Sequence, residues 1–176
     1  MSIPQKPKPA KLVVGIFLNQ KRLLEEIADD LFSRFGAVDI ISAWIPFEYT
    51  SYYAEELGKP LFRRLFAFEK LIQQNELAKI KLTTNQIEQK YSQNGRRRVN
   101  IDPGYLLHER FVLASGKNFS HRIYLADGIY ADLTLIYFKG RFQTLPWTYP
   151  DYADQALIKV LERIRRKYAL EVSGKS

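Results

Sequence analysis

Cysteine is absent from the 176 residues, and histidine occurs only as His108 and His121. The absence of cysteine excludes disulfide scaffolds, thiolate metal sites and cysteine nucleophiles. A metal site would need both histidines to converge with acidic residues such as Asp102, and no ligand spacing in the sequence suggests such a site. We therefore expect neither a metal ion nor a cofactor.

Long apolar segments are also missing. The longest uninterrupted apolar run, Leu12 to Leu18, is far shorter than a membrane-spanning helix. Residues 1–11 alternate proline, lysine and glutamine and contain no apolar stretch of the signal-peptide type. Because 46% of the residues are hydrophobic, the chain can still form a sizeable core. These features predict a soluble, cytoplasmic protein with no membrane partner.

The common nucleotide-binding and hydrolase motifs are absent as well. The chain contains neither the phosphate loop G-x-x-x-x-G-K-[ST] nor the dinucleotide pattern G-x-G-x-x-G. It also lacks the zinc-protease motif H-E-x-x-H and the nucleophile motif G-x-S-x-G. No motif therefore identifies a catalytic residue.

The formal net charge of +8 is unevenly distributed. Residues 1–11 carry +3, residues 159–176 carry +4, and the body between them carries only +1. Within that body, residues 20–58 hold eight acids and three bases, whereas residues 90–122 hold seven bases and two acids. The basic segment 90–122 is therefore the part of the body suited to a phosphate-bearing partner.

The hydrophobic pattern predicts a single α+β domain with a mainly antiparallel sheet and helices on one face. The chain opens as β-α-β-β, with strands over 11–18, 38–45 and 61–68. Leucine, isoleucine and phenylalanine recur at helical spacing between the first two strands, and Gly36 ends that helix.

The second half of the chain predicts a meander and a final helix. Four short strands separated by turn signals lie between residues 110 and 145. Asp151 can cap the helix that follows. We expect the domain to span residues 11–170, with a flexible basic leader at 1–10 and a frayed tail at 171–176.

Residues 75–92 allow two interpretations. Apolar residues at alternating steps of three and four favour one helix. The alternative is a strand over 79–83, followed by a shorter helix with a capping box formed by Asn85 and Glu88. Further along, Asp102-Pro103-Gly104 predicts a turn.

The hairpin at residues 122–132 has a register that separates apolar from polar side chains. A three-residue loop, Ala126-Asp127-Gly128, with Gly128 left-handed, gives this separation. The resulting pairs are Arg122–Asp132, Ile123–Ala131, Tyr124–Tyr130 and Leu125–Ile129. A two-residue Asp-Gly turn would instead place Ile123 opposite Asp132.

The donors that phosphate recognition needs are concentrated in the basic segment and the strand after it. Tyrosines on an exposed sheet face could add a surface for base stacking. The candidate ligand-binding residues are Arg96, Arg97, Arg98, Lys117, Asn118, His121, Arg122, Tyr124 and Tyr130. The alternative is structural: a solvated helix end, an Arg122–Asp132 ion pair, and a tyrosine pair covered by a helix.

Four longer segments resemble a known family. They are residues 46–53, 97–105, 119–125 and 145–152. Together they resemble the prokaryotic family called domain of unknown function 4416, and the resemblance covers almost the whole chain. The resemblance implies a family relationship but does not imply an activity.

Three functions are compatible with these observations. The favoured one is non-catalytic binding of a phosphate-bearing partner, either RNA or a nucleotide. A phosphoester-processing enzyme is the second, using Asp102, Asp127 or Asp132 with Lys117, His121 and Arg122. The third is a protein-interaction module whose aromatic loops at 47–53 and 147–152 contact a partner.

Overall fold

The computed structural model describes residues 1–49 and 56–174. Within these residues, nine strands form one sheet and three α-helices pack on it. The strands are β1 (Ala10–Leu18), β2 (Val38–Ile41), β3 (Ile45–Phe47), β4 (Leu61–Ile72), β5 (Val99–Leu106), β6 (Arg110–Ser115), β7 (Arg122–Ala126), β8 (Ile129–Phe138) and β9 (Arg141–Thr144). The helices are α1 (Leu24–Phe35), α2 (Leu77–Lys90) and α3 (Gln155–Ser173). None of these helices has the length and apolar character needed to cross a membrane.

The predicted α+β class and antiparallel sheet are confirmed. The strand order is β2-β4-β1-β5-β6-β8-β7, with β3 also paired to β4 and β9 also paired to β8. All of these pairings are antiparallel. The β-α-β-β opening is present, and the short strand β3 is added before β4.

Helices cover both faces of the sheet, whereas the hydrophobic pattern predicted them on one. On the α1 face, Phe32 packs edge-on against Phe66 of β4, with ring centroids 6.1 Å apart. On the opposite α3 face, Lys11 of β1 forms an ion pair with Glu171 of α3 at 2.7 Å. The physical reason lies in β1, whose nine residues are all buried, because a strand buried on both sides needs cover on each.

Residues 77–90 form one continuous helix, so the alternative with a strand over 79–83 is wrong. Lys81 and Glu88 lie seven residues apart on the same side of α2. Lys81 donates to the Ile101 carbonyl at 2.8 Å, and Glu88 accepts from the Ile101 N–H at 2.6 Å. The helix therefore satisfies the backbone of β5 where a neighbouring strand is missing.

The predicted turn at Asp102-Pro103-Gly104 is wrong, because these residues lie inside β5 and pair with β1. Ile101 directs its N–H and C=O toward α2 and away from β1, and Pro103, two residues along the same strand, faces the same way. Because β6 pairs with β5 only from Gly104 onward, the missing N–H of Pro103 costs no ladder bond. A Cβ at Gly104 would lie 2.5 Å from the Val112 carbonyl oxygen. Glycine is therefore needed here for close approach of two strands.

The β7–β8 hairpin confirms three of the four predicted pairs, those of Arg122, Ile123 and Tyr124. Its turn differs: Ala126 pairs with Ile129, and Leu125 is the extra residue of a bulge. Asp127 and Gly128 form a two-residue turn with φ values of +52° and +75°. The bulge shifts the register by one residue, so this turn and the predicted pairing coexist.

Candidate functional site

A cleft of about 750 Å³ opens on the α3 face of the sheet. It forms because β5 and β6 pair only between Gly104–Leu106 and Phe111–Leu113, and then diverge. α2 packs beside the unpaired half of β5, and residues 149–152 contribute to the lining near the start of α3. Divergence of the two central strands thus creates a concave site within a single domain.

Aromatic side chains form the apolar part of the cleft lining. Phe17 stacks on Phe47, with ring centroids 4.9 Å apart and an interplanar angle of 9°. Tyr49 meets Phe47 edge-on at 5.8 Å, and Tyr149 and Tyr152 also line the cleft. Walls of this kind suit a flat, partly apolar ligand.

Arg63 and Asp151 form a buried ion pair beside these rings. The Arg63 guanidinium lies 4.6 Å from the ring centroids of both Phe17 and Tyr152. Burial raises the pKa of Asp151, and Arg63 acts in the opposite direction. Asp151 was expected to cap α3, but Asp154 does so by accepting from the Ala156 and Leu157 N–H groups.

A second cluster of charged side chains joins α2 to β5. The Lys81 ammonium lies 3.8 Å from Glu88 and 3.7 Å from Asp102. Burial raises the pKa of Glu88, and Lys81 is the strongest opposing influence. The residues with formal charge in the cleft lining are the acids Glu88, Asp102, Asp132 and Asp151 and the bases Arg63, Lys81, Arg97 and Lys117. The cleft is thus charge-balanced.

Asn100 and Asp102 give the cleft an unused donor beside an acceptor. Asn100 is 4% exposed, and its Oδ1 accepts from Arg97 at 2.8 Å, which fixes the orientation of the amide. The Nδ2 atom of Asn100 is buried and has no hydrogen-bond partner among the described residues. The nearest cationic nitrogens to the Asp102 carboxylate, on Lys81 and Arg63, lie 3.7 and 3.8 Å away, beyond hydrogen-bond distance.

Comparison with models of protein families shows which family the chain belongs to. The model of the family described as Domain of unknown function (DUF4416) matches residues 8–168. The chain belongs to the DUF4416 family. No curated protein and no solved structure matches it. The matched range contains the whole cleft lining, so the cleft lies within the DUF4416 domain.

In this DUF4416 domain, Arg122 and His121 have structural partners. Arg122 donates to Asp132 at 2.9 Å, to the Lys117 carbonyl at 2.8 Å, and to the Tyr149 hydroxyl. His121 stacks on Trp147 at 4.9 Å and lies 3.2 Å from the same Asp132 carboxylate. The predicted Arg122–Asp132 ion pair is confirmed, and Asp132 is 1% exposed.

The three consecutive arginines are used differently from one another. Arg97 forms ion pairs with Glu56 at 2.6 Å and with Glu88 at 3.1 Å, and it lines the cleft. Arg98 donates to the Gln20 side chain at 2.9 Å. Arg96 is exposed in a turn that follows α2. Only Arg97 of the three therefore borders the cleft itself.

The remaining predicted residues divide between the cleft rim and the hairpin. Lys117 lines the cleft, whereas Asn118 is exposed in the loop beside it. The predicted tyrosine pair is confirmed, with the rings of Tyr124 and Tyr130 5.5 Å apart. A helix was expected to cover this pair, but none does so among the described residues, and Tyr124 is 59% exposed. This pair lies outside the cleft lining.

The residues expected for a phosphoester-processing enzyme lie only partly in the cleft. Asp102 and Asp132 line the cleft, but Asp127 lies in the exposed hairpin turn. Of the loop at 47–53, residues 50–53 lie outside the described residues. Within residues 1–49 and 56–174, no group of three or more histidine or acidic side chains could hold a metal ion.

Sequence reasoning missed the buried charges Arg63, Lys81 and Glu88. A signal for them was present. Arg63 lies on the same side of its strand as Leu61 and Leu65, and Lys81 and Glu88 fall on the apolar side of a helix. A charge at an inward position needs a partner or a ligand, so such positions mark candidate site residues.

Proposed function

We propose that this domain is a non-catalytic binding module for a small phosphate-bearing ligand with a planar ring, of nucleotide size. The observation that carries the proposal is the cleft, where aromatic walls meet the carboxylate of Asp102 and the Nδ2 of Asn100, which has no hydrogen-bond partner in the described part of the chain. Its volume of about 750 Å³ lies within the usual range for small-molecule sites.

The ring of the ligand would be recognised by both shape and hydrogen bonding. Asn100 and Asp102 are two residues apart on β5, so their side chains emerge on the same face. A nucleobase carries a hydrogen-bond donor and an acceptor next to each other on one edge. A buried donor without a partner costs about 1–3 kcal/mol, and a ligand that pairs with Asn100 Nδ2 would recover that cost.

A nucleotide is favoured over RNA because His121 and Arg122, two of the residues expected to contact either ligand, have partners within the protein. Arg122 bonds to three groups of the protein itself, and His121 stacks on Trp147. The tyrosine pair at Tyr124 and Tyr130 is separate from the cleft. A cleft of about 750 Å³ accommodates one ring and its substituents, whereas single-stranded RNA needs a continuous groove that follows its backbone.

A phosphoester-processing enzyme has weaker support. Asp102, Asp132 and Lys117 line the cleft together, but Asp127 lies in the hairpin turn, and the Asp132 carboxylate is already bound by Arg122 and His121. Burial raises the pKa of Glu88, but that carboxyl bonds to the Ile101 N–H and to Arg97. These bonds account for Glu88 as a structural group.

Isothermal titration calorimetry with AMP, GMP, CMP, UMP and GTP tests the proposal. We expect at least one of these to bind, and Asp102→Asn or Asn100→Ala to weaken it about tenfold or more, the loss of roughly one good hydrogen bond. Asp29→Asn is the matched control, because Asp29 is exposed on α1 across the sheet. Affinity that is unchanged in both cleft variants, or binding only to a single-stranded oligoribonucleotide, would contradict the proposal.

A further inference from the structure

A second cavity of about 470 Å³ adjoins the cleft. The two cavities share Arg97 as a lining residue. The second cavity is lined almost wholly by polar side chains, and Leu57 is its one apolar lining residue among those described. Its chemistry therefore differs from that of the cleft, which has aromatic walls.

The charge of the second cavity is strongly positive. Among the described residues, Arg96, Arg97 and Arg98 line it together with one acid, Glu56, whereas the cleft has equal numbers of acids and bases. A polar cavity with excess positive charge favours an anion, and guanidinium groups match the oxygens of a phosphate. The charge-balanced cleft has no such preference.

The three arginines have different roles in this cavity. Arg97 is bound to Glu56 and Glu88, so its guanidinium is held in place where the two cavities adjoin. Arg98 gives one N–H to Gln20, and the Arg96 side chain donates no hydrogen bond within the described part of the chain. Arg96 and Arg98 therefore keep donors available for a ligand.

The position of Arg96 is set by a tight turn. Gln93 and Arg96 exchange both backbone hydrogen bonds, at 2.8 and 3.0 Å. Between them Asn94 and Gly95 have φ values of +52° and +73°, the left-handed pair of a two-residue hairpin turn. This turn holds the start of the arginine run at the mouth of the cavity.

We infer that the second cavity binds the phosphate of the ligand whose ring occupies the cleft. Arg96 and Arg98 would hold the phosphate oxygens, and Arg97 would separate phosphate from ring. The inference rests on the proposed function for the ring. The phosphate subsite itself can be measured alone, with inorganic pyrophosphate as the probe.

The test uses a double variant that carries Arg96→Gln and Arg98→Gln in the same chain. Its matched control is a second double variant that carries Arg163→Gln and Arg166→Gln. The control removes the same charge from two exposed residues of α3. Calorimetry is run on the full chain with pyrophosphate, and then with the nucleotide that binds best and its nucleoside. Circular dichroism and melting temperature confirm that each variant folds.

The expected result is pyrophosphate binding to the wild type and the control, weakened at least tenfold in the Arg96/Arg98 variant and by added salt. The nucleotide should lose affinity in that variant, whereas its nucleoside should not. Equal loss in both double variants, or no pyrophosphate binding by the wild type, would overturn the phosphate subsite. If pyrophosphate binds at Arg96 and Arg98 but no nucleotide or nucleoside binds, the subsite stands and the proposed function fails.

Discussion

Arg63 occupies an inward position of β4, between Leu61 and Leu65, and is 2% exposed. Its ion pair with Asp151 joins the sheet to the segment before α3, and Phe17 and Tyr152 lie against its guanidinium. Charges buried this deeply are tolerated only in pairs. Arg63 therefore stabilises the wall of the cleft as well as the fold.

Arg63→Met keeps most of the side-chain volume but leaves Asp151 buried without its cation. We expect the free energy of unfolding to fall by about 3–5 kcal/mol, the usual cost of breaking a buried pair. Adding Asp151→Asn to the same chain should recover part of the loss. Urea denaturation measures both, and a loss below about 1 kcal/mol in the single variant, as for an exposed pair, would contradict this role.

Glu88 makes a distinct prediction about pH. Burial raises its pKa above the ordinary value of 4.5, with Lys81 opposing. Because the folded state binds the proton of such a carboxyl more tightly than the unfolded state does, the group adds most to the free energy of unfolding at low pH. That contribution falls as the pH rises through and above the ordinary pKa. Glu88→Gln removes that dependence.

The stability of Glu88→Gln relative to wild type should therefore rise between about pH 4 and about pH 7. Glu25→Gln is the control, because Glu25 is exposed on α1 and its replacement should show no comparable trend. Denaturant unfolding at several pH values measures the difference. A relative stability that falls over this range would show that ionised Glu88 stabilises the fold.

Among the secondary-structure elements, the close approach of β5 and β6 at Gly104 fixes where the two strands begin to diverge. Gly104→Ala would push a Cβ against the Val112 carbonyl and the side chains of Leu113 and Phe111. We expect a loss of about 1–3 kcal/mol in the free energy of unfolding, as for other overpacked sites.

Gly116→Ala is the control for this substitution, because a Cβ there meets nothing within 4 Å. Thermal unfolding of the two variants compares them directly. Equal melting temperatures would mean that β5 and β6 can separate further at no cost, contrary to the packing described.

Elements were predictable where the local pattern agreed with the tertiary contacts. The alternation of Arg122, Ile123 and Tyr124 predicted their pairing partners correctly, because one register alone separates the two faces. Asp102-Pro103-Gly104 was misread because a local turn signal was overridden by pairing of β5 with β1. Local composition carries no information about such a long-range pairing.

For the molecule as a whole, the class of the fold follows from the sequence, but the cleft does not. The alternating and helical patterns predict an antiparallel sheet with helices. The cleft depends on where β5 leaves β6 and on residues 149–152 lining it, and both are tertiary features. Of the predicted ligand-binding residues, Arg97 and Lys117 line it, and so do Asp102 and Asp132 of the enzyme alternative, whereas Asn100 had no distinguishing pattern.

The chain ends give a prediction at the same scale. Residues 1–8 are exposed, and β1 begins at Ala10. One side-chain hydrogen bond reaches this segment in the described structure, from Gln74 to the Lys8 carbonyl at 3.0 Å. Removal of residues 1–8 should leave the melting temperature nearly unchanged. A large drop in a calorimetric scan would mean that the leader packs as part of the domain.

The side-chain amide of Asn100 offers the most direct test of the ligand-binding cleft. Its two N–H signals can be assigned in a heteronuclear NMR spectrum by their loss in Asn100→Asp, with the exposed amide of Asn75 as internal control. On titration with AMP, GMP, CMP, UMP and GTP in turn, we expect a saturable shift of the Asn100 signals with at least one nucleotide and none for Asn75. Asn100 signals that stay unchanged with all five would contradict it.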